Sequence, residues 1–319
     1  MRTRSMLVVG YDGAEILEIA CVTSALAAAG VESGGTPYDV RLLTPGGRTI
    51  TCATGLRLEA QGALDRHRDR ADTLIVSGGF GAGNAAADPA LVGHVRRLAA
   101  LSDRVAAVCT GAAILAAAGL LDGRRATTHW EFAGELARRH PEVNVDPDPI
   151  YVQDGRVFTS AGVTAALDLT IAFITADLGA RVARDVARAL VTYLHRPGNQ
   201  AQISMHLAAP APAEPAVAAI TEYVTAHPGA DLSTGALAAR AGVTPRHLGR
   251  LFNAHLGTSP ARYVRRARTE AAAHLLTSTD LPLTQVARRC GFKSTETLRA
   301  AFLAAYGVPP TRLTREAVP

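Results

Sequence analysis

Two stretches in the last third of the chain match each other at an offset of 50 residues, and this internal repeat limits the fold more than any other feature. Leu251-Phe252-Asn253-Ala254-His255-Leu256-Gly257 runs in step with Ala301-Phe302-Leu303-Ala304-Ala305-Tyr306-Gly307, and Pro260 and Arg262 with Pro310 and Arg312. Each copy stops a helical pattern at a glycine and turns through proline. Ahead of each lies a shorter apolar face: Leu237, Ala238 and Ala241 before Gly242, and Val286, Ala287 and Cys290 before Gly291. Small alanines let two helices approach closely, and glycine permits the tight turn between them. The pattern predicts two helix-turn-helix units, each with Leu248, Leu251 and Phe252, or Leu298, Ala301 and Phe302, on the buried face of its second helix.

In such a unit the second helix enters the major groove of DNA, leading with its N-terminal residues. Off the apolar face these are Thr244, Arg246, His247, Arg250 and Asn253 in the first unit. In the second they are Lys293, Ser294, Thr295, Glu296, Thr297 and Arg299. Arginine suits bidentate reading of guanine, asparagine of adenine, and glutamate accepts from cytosine. The hydroxyls near each helix start suit phosphate. The connecting pattern Pro260–Leu276 carries Arg262, Arg265, Arg266 and Arg268 and is expected to hold the two helices about one duplex turn, roughly 34 Å, apart. Charge agrees: residues 216–319 carry 13 Lys and Arg against 6 Asp and Glu, whereas residues 1–215 carry 20 against 22. Positive potential confined to one end is the footprint of a module that binds a polyanion.

The Pro/Ala-rich segment 208–215 reads as an extended linker, which divides the chain into 1–207 and 216–319. Upstream of it, short apolar runs at Leu7–Gly10, Tyr38–Leu43, Thr73–Ser77 and Val105–Val108 alternate with helical patterns at Glu15–Ala29, Ala90–Leu101, Gly111–Ala118 and Val163–Leu178. That alternation predicts an α/β sandwich around a parallel sheet. Downstream the chain reads as all-α. Cys21, Cys52, Cys109 and Cys290 are scattered, the pattern of reduced cytosolic thiols rather than a disulfide frame or a zinc site. No metal or cofactor is expected, nor a secretory signal or membrane span.

The strand Val105–Val108 runs straight into Cys109-Thr110-Gly111 and a helix, which places Cys109 at a sharp elbow on the carboxyl edge of the sheet. A thiol at a helix N-terminus is expected to be depressed in pKa. The turn Ser77-Gly78-Gly79-Phe80-Gly81-Ala82-Gly83 offers free N–H groups that, with that of Thr110, would form an anion hollow. Glu15 and Glu18 lie one turn apart near the same edge, and Thr127-Thr128-His129-Trp130 brings an imidazole and an aromatic wall. Cys109, Glu18 and His129 are the candidates for any catalysis, with Glu131 as a nominal acid for His129. Glu15, Glu18, Gly78, Gly79, Cys109, Thr110, His129 and Trp130 are the candidates for ligand binding. Ala180–His195 reads as an amphipathic surface helix and a candidate dimer face.

Two family resemblances attach to these residues. "GFKSTETLRAAFLAAYGVPPTRLTR" (291–315) resembles the second-unit signature of the AraC/XylS family, which implies seven helices over about 216–319. "AVCTGAAILAAAGLLDGRRATTHW" (107–130) and "FTSAGVTAALDLTIAFI" (158–174) resemble the PfpI-like branch of the class I glutamine-amidotransferase-like superfamily, a flavodoxin-like fold. The fusion resembles the GlxA-type regulators. This implies Cys109 as the elbow cysteine, Glu18 as its acidic neighbour, and Gly79 and Thr110 as backbone donors. The partners so implied are double-stranded DNA, a small-molecule effector, a second copy of the chain and RNA polymerase, in a bacterial cytoplasm. Relatives that hydrate isocyanides share "VCTG" and "TTHW" but carry aspartate at the position of Glu18. An enzyme of that kind using Cys109 and Glu18 is the alternative to a sensor.

Overall fold

Apolar strands with no polar face must be covered on both sides, and this decides the first unit of the computed structural model. Residues 2–192, 196, 198, 202, 214–279, 281–306 and 309–312 are described. The chain divides into two compact units, Met1–Gln202 and Ile203–Pro319. The strands of the first are β1 (Arg4–Val9), β2 (Tyr38–Thr44), β3 (Ile50–Thr51), β4 (Arg57–Leu58), β5 (Gly62–Ala63), β6 (Ala71–Val76), β7 (Ser102–Val108), β8 (Arg125–Ala126), β9 (Asn144–Val145), β10 (Tyr151–Asp154) and β11 (Val157–Ser160). One seven-stranded sheet has the order β10-β11-β7-β6-β1-β2-β5, parallel except for β10 against β11. β3 with β4 and β8 with β9 make two small ribbons.

The helices of this unit are α1 (Ile16–Ser33), α2 (Ala82–Ala87), α3 (Pro89–Ala100), α4 (Gly111–Ala117), α5 (Trp130–Arg139), α6 (Ala165–Leu178) and α7 (Ala180–Ala189). Met6–Val9, Leu74–Val76 and Val105–Val108 are buried with the inward faces of α1, α3, α4 and α6 in one core. α1 runs four residues past the expected end, from a Glu15 cap to Gly34 in the left-handed region. By length and composition alone α1 is apolar enough to cross a membrane, contrary to expectation. Its Ile19, Val22 and Leu26 nevertheless pack in the core, and its Glu18 is wholly buried there. α7 stops at Ala189, short of the expected His195, as Val191 turns left-handed (φ 53°); residues 193–195 lie outside the described residues.

The second unit contains α8 (Pro215–Ala226), α9 (Thr234–Arg240), α10 (Pro245–Leu256), α11 (Pro260–Ser278), α12 (Leu283–Arg289) and α13 (Thr295–Tyr306), with a 3-10 turn at Pro310–Arg312. Of the expected linker, 208–213 lie outside the described residues, whereas Pro215 is the first residue of α8, where its missing N–H costs nothing. The long α11 joins two small cores. Tyr263, Val264 and Ala267 of its first half pack with Leu237, Leu248 and Phe252; Ala272, Ala273 and Leu276 of its second half pack with Val286, Leu298 and Phe302. The repeat is not uniform. Gly242 and Gly291 are 49 residues apart, while the helix caps Thr244 and Ser294 are 50 apart, so the second unit's turn is one residue longer.

Candidate functional site

β1, β6, β7 and β11 are adjacent strands, so the loops at their carboxyl ends converge, the place where open α/β sheets hold ligands. Cys109 leaves β7 with φ 52° and enters α4, the expected elbow. Its N–H donates to Ser160 O (2.8 Å) and its carbonyl accepts from the Thr128 hydroxyl (2.8 Å). Glu18 reaches the same place from α1. Its carboxyl accepts from the N–H groups of Gly78 (2.8 Å) and Val163 (3.1 Å) and lies within hydrogen-bonding reach of the Cys109 thiol. Val163, with φ 47°, is a second strained residue at the site and was not foreseen. Its one signal in the sequence is the preceding glycine.

A cavity of about 190 Å³ opens here, lined by Glu15, Glu18, Gly79, Phe80, Cys109, Thr110, His129, Glu131, Phe132 and Val163. Six of the eight expected ligand residues are brought together. Gly78 stands behind Glu18 instead of lining the cavity. Trp130 is 52 % exposed, neither core nor cavity wall. Sequence reasoning missed Phe80 and Phe132 as lining residues.

Two electrostatic expectations are corrected. The two glycines of the turn offer no free donor to the expected hollow: Gly78 N–H is held by Glu18, and Gly79 N–H donates to Thr110 Oγ1 (2.8 Å). The Cys109 thiol is not depressed. Burial pushes it up, the neighbouring Glu18 carboxylate and the hydrogen bond to it push further, and these outweigh the Thr110 N–H and hydroxyl. Burial likewise pushes Glu18 up, against the N–H groups of Val163 and Gly78 and the Cys109 thiol. His129 is pushed down by burial, with Glu131 opposing. Its Nδ1 accepts the Glu131 N–H (3.4 Å) as the cap of α5, so this nitrogen is not free to donate to a carboxylate as the Nδ1 of a triad histidine does.

The raised Glu18 gives a testable sign. A carboxyl whose folded pKa exceeds its unfolded one contributes stability in full at low pH and loses it as pH rises through the folded value. Glu18→Gln keeps the shape without the ionisation. The stability margin of wild type over this variant should therefore shrink as pH rises above the ordinary carboxylate range, read in parallel denaturant titrations. A margin that grows with pH would contradict the assignment.

In the second unit α10 exposes the expected Arg246, His247, Arg250 and Asn253, α13 exposes Glu296 and Arg299, and Lys293 is exposed in the turn before α13. Thr244 caps α10 by accepting from His247 N–H (3.3 Å), and Ser294 caps α13 by accepting from Thr297 N–H (3.2 Å). Thr244 is an acceptor there, so its hydroxyl proton remains for a phosphate, whereas the Ser294 hydroxyl is drawn to the Glu296 carboxylate. Those of Thr295 and Thr297 are engaged, on Glu296 (2.9 Å) and on Ser294 O (2.8 Å), which corrects their reading as direct donors. Arg268 of the connecting helix is half-buried and donates to Pro228 O (2.9 Å) and Ala230 O (2.8 Å).

The DJ-1/PfpI family model matches residues 4–176, and a helix-turn-helix domain model matches 237–316. The chain belongs to the DJ-1/PfpI family. It is 32% identical to the HTH-type transcriptional regulator GlxA of Rhizobium meliloti over 94% of this chain and 92% of that one. It is also 32% identical to the HTH-type transcriptional regulator CdhR of Pseudomonas aeruginosa, over 86% of this chain and 81% of that one. Among solved structures, a ThiJ/PfpI family protein from Pseudomonas syringae matches with a TM-score of 0.57 and 23% identity, covering 71% of this chain and 87% of that one. The resemblance to GlxA-type regulators, a PfpI-like domain followed by an AraC-type helix-turn-helix region, is therefore borne out, and with it transcription regulation as the function of this family member.

Proposed function

We propose that this DJ-1/PfpI regulator is a homodimer that binds double-stranded DNA through α10 and α13 and answers to a small-molecule effector held in the cavity at Cys109. It acts in the cytoplasm, on the nucleoid when bound, with RNA polymerase as a further partner. The observation that favours sensing over turnover is the engagement of the backbone donors. With the N–H groups of Gly78 and Gly79 both occupied, the turn leaves neither of these two donors for a developing oxyanion. The raised thiol of Cys109 points the same way. The buried Glu18–Cys109 pair favours one second reading, residual isocyanide-hydratase-like activity; a turnover lost in Cys109→Ala would support it.

Coupling has a physical route within the first unit. Gln202, which precedes the helix-turn-helix region in chain order, donates to Thr128 O (2.7 Å) and Thr127 Oγ1 (3.0 Å) and accepts from Trp130 N–H (2.8 Å). It grips both sides of His129, a cavity-wall residue. An effector that favours one arrangement of this turn thereby biases the chain leading to the DNA-binding unit.

The test is binding of the full-length protein to duplexes recovered by genome-wide mapping of its sites. Arg250→Ala and Arg299→Ala should each weaken binding by about 5- to 150-fold, equivalent to about 1–3 kcal/mol, and relax selectivity at one base position. Wild-type affinity in both variants would remove α10 and α13 from the groove.

A further inference from the structure

Gln202 is not the only hold on the chain that leaves the first unit. After α7, Arg196, Gly198 and Gln202 each fasten to a different element. Arg196 seats at the start of α6. Its N–H donates to Asp168 Oδ1 (2.8 Å), and its Nε and Nη2 converge on Asp168 Oδ2 (2.9 and 2.6 Å). Nη2 also reaches Thr164 Oγ1 (2.9 Å). Gly198 seats on β10, where its carbonyl accepts the Tyr151 N–H (3.1 Å) and its own N–H bonds the Tyr151 phenol. The fit excludes a side chain, since an added Cβ would stand 2.5 Å from the Tyr151 ring. Gln202 seats at the start of α5, on either side of His129, and its N–H donates to Asp148 O (2.8 Å).

The first and last of these anchors stand behind two walls of the elbow cavity. Thr164 follows Val163, which lines the cavity and holds Glu18 through its N–H (3.1 Å). Thr128 and Trp130 flank His129, the lining residue at the start of α5. The departing chain therefore staples the α6 wall to the α5 wall. The Asp168 end is the firmer hold. Its side chain is only 4 % accessible, it lies in the first turn of α6 where the helix favours negative charge, and Arg196 is the cation paired with it. A buried carboxylate deprived of its cation is costly, so Arg196 stays where α6 puts it. A shift of the Val163 wall that carries the first turn of α6 carries Arg196 with it.

We propose that the Arg196–Asp168 pair is the latch through which occupancy of the Cys109 cavity reaches the chain leading to the DNA-binding unit, with Arg196 a positioning residue for that response. Because the chain is fixed to both walls, an effector that prefers one spacing of Val163 and His129 also prefers one position of the chain. This rests on the reading of the cavity as the effector site and names the residues that pass its state on.

The test uses the full-length protein and a duplex recovered by mapping of its sites. N-ethylmaleimide on Cys109, confirmed by peptide mapping, serves as a covalent occupant of the cavity. Cys109→Ala treated in the same way reports any effect through Cys21, Cys52 or Cys290, and only the excess over it is counted as the response. In wild type the label should change duplex affinity by about fivefold or more. In Arg196→Gln and in Asp168→Asn, labelled to the same extent, the change should fall below about twofold. Arg196→Lys keeps the charge but loses the fork that serves both Asp168 and Thr164, so its response should be intermediate. If either single variant fails to fold, as read by Trp130 fluorescence, the double variant Asp168→Asn with Arg196→Gln replaces the ion pair by a neutral one and serves instead. A merely structural tether would lower the melting temperature of these variants and leave the response at its wild-type size. That result would overturn the latch and leave the sensor cavity standing. Wild-type affinity unmoved by the label would overturn the latch and count against the effector cavity itself.

Discussion

Replacing Arg268 with alanine is expected to weaken DNA binding and to blunt the protein's sensitivity to the spacing of its two half-sites, although Arg268 lies on neither recognition helix. Its guanidinium donates to the carbonyls of Pro228 and Ala230, in the loop between α8 and α9, and packs against Gly291, the turn glycine of the second unit. A Cβ on Gly291 would fall 2.6 Å from Arg268 Nη2 and 2.7 Å from Pro228 O, so the three are closely fitted. Arg268 also sits on α11 between Ala267 of one small core and Ala272 of the other. It therefore ties the first helix-turn-helix unit to the turn of the second. Charge-assisted hydrogen bonds of this kind are worth about 1.5–3 kcal/mol each, and their loss leaves two carbonyls in need of partners. Arg268→Ala should destabilise the second unit by about 2–4 kcal/mol. On duplexes whose half-sites are moved apart by one or two base pairs, wild type should lose on the order of tenfold in affinity. The variant should bind the native spacing more weakly and lose less on insertion. Wild-type affinity and spacing preference in the variant would show that the two units are held apart by α11 alone.

The arrangement of α9, α10, α12 and α13 was legible because its signals are local. Apolar positions one helical turn apart, a glycine between helices and a hydroxyl at each helix start are all written within about 20 residues. The role of Arg268 was not legible, because its partners are 38 and 40 residues away and are carbonyls, which every residue possesses. The same division runs through the first unit. An apolar strand leading into Cys-Thr-Gly is a local sign of an elbow, and the elbow is there. The expected hollow loses its two glycine donors because the N–H groups of Gly78 and Gly79 are taken by Glu18 and Thr110, 60 and 31 residues away. The depressed thiol failed for a related reason: the turn at α4 was visible, but the burial that outweighs it belongs to the assembled fold. Phe80 stood in plain view inside the glycine-rich turn. Its place on the cavity wall depends on Phe132 of α5, which packs from some 50 residues further along.

Gly162→Ala should be among the most damaging single substitutions in the first unit. Gly162 has φ 88°, and an added Cβ would overlap the Cβ of Cys109 and stand 2.7 Å from Glu18 Oε1. Neither neighbour can yield cheaply. Cys109 is already held at φ 52° by hydrogen bonds at both its N–H and its carbonyl, and Glu18 is fixed by two backbone donors. Backbone strain of about 1–3 kcal/mol therefore adds to a steric term of similar size, about 3–5 kcal/mol together. For a unit of this length that lowers the melting temperature by roughly 10 °C. Trp130, the chain's one tryptophan, lies in the first unit and reports its unfolding separately by fluorescence. Gly34→Ala is the control. Gly34 also has a positive φ, 68°, but nothing stands within 4 Å of an added Cβ, so only the strain remains and the loss should be about 1–2 kcal/mol. Equal losses in the two variants would mean that the Cys109–Glu18 corner gives way. The tight closure of the cavity floor, on which the sensor reading depends, would then have to be abandoned.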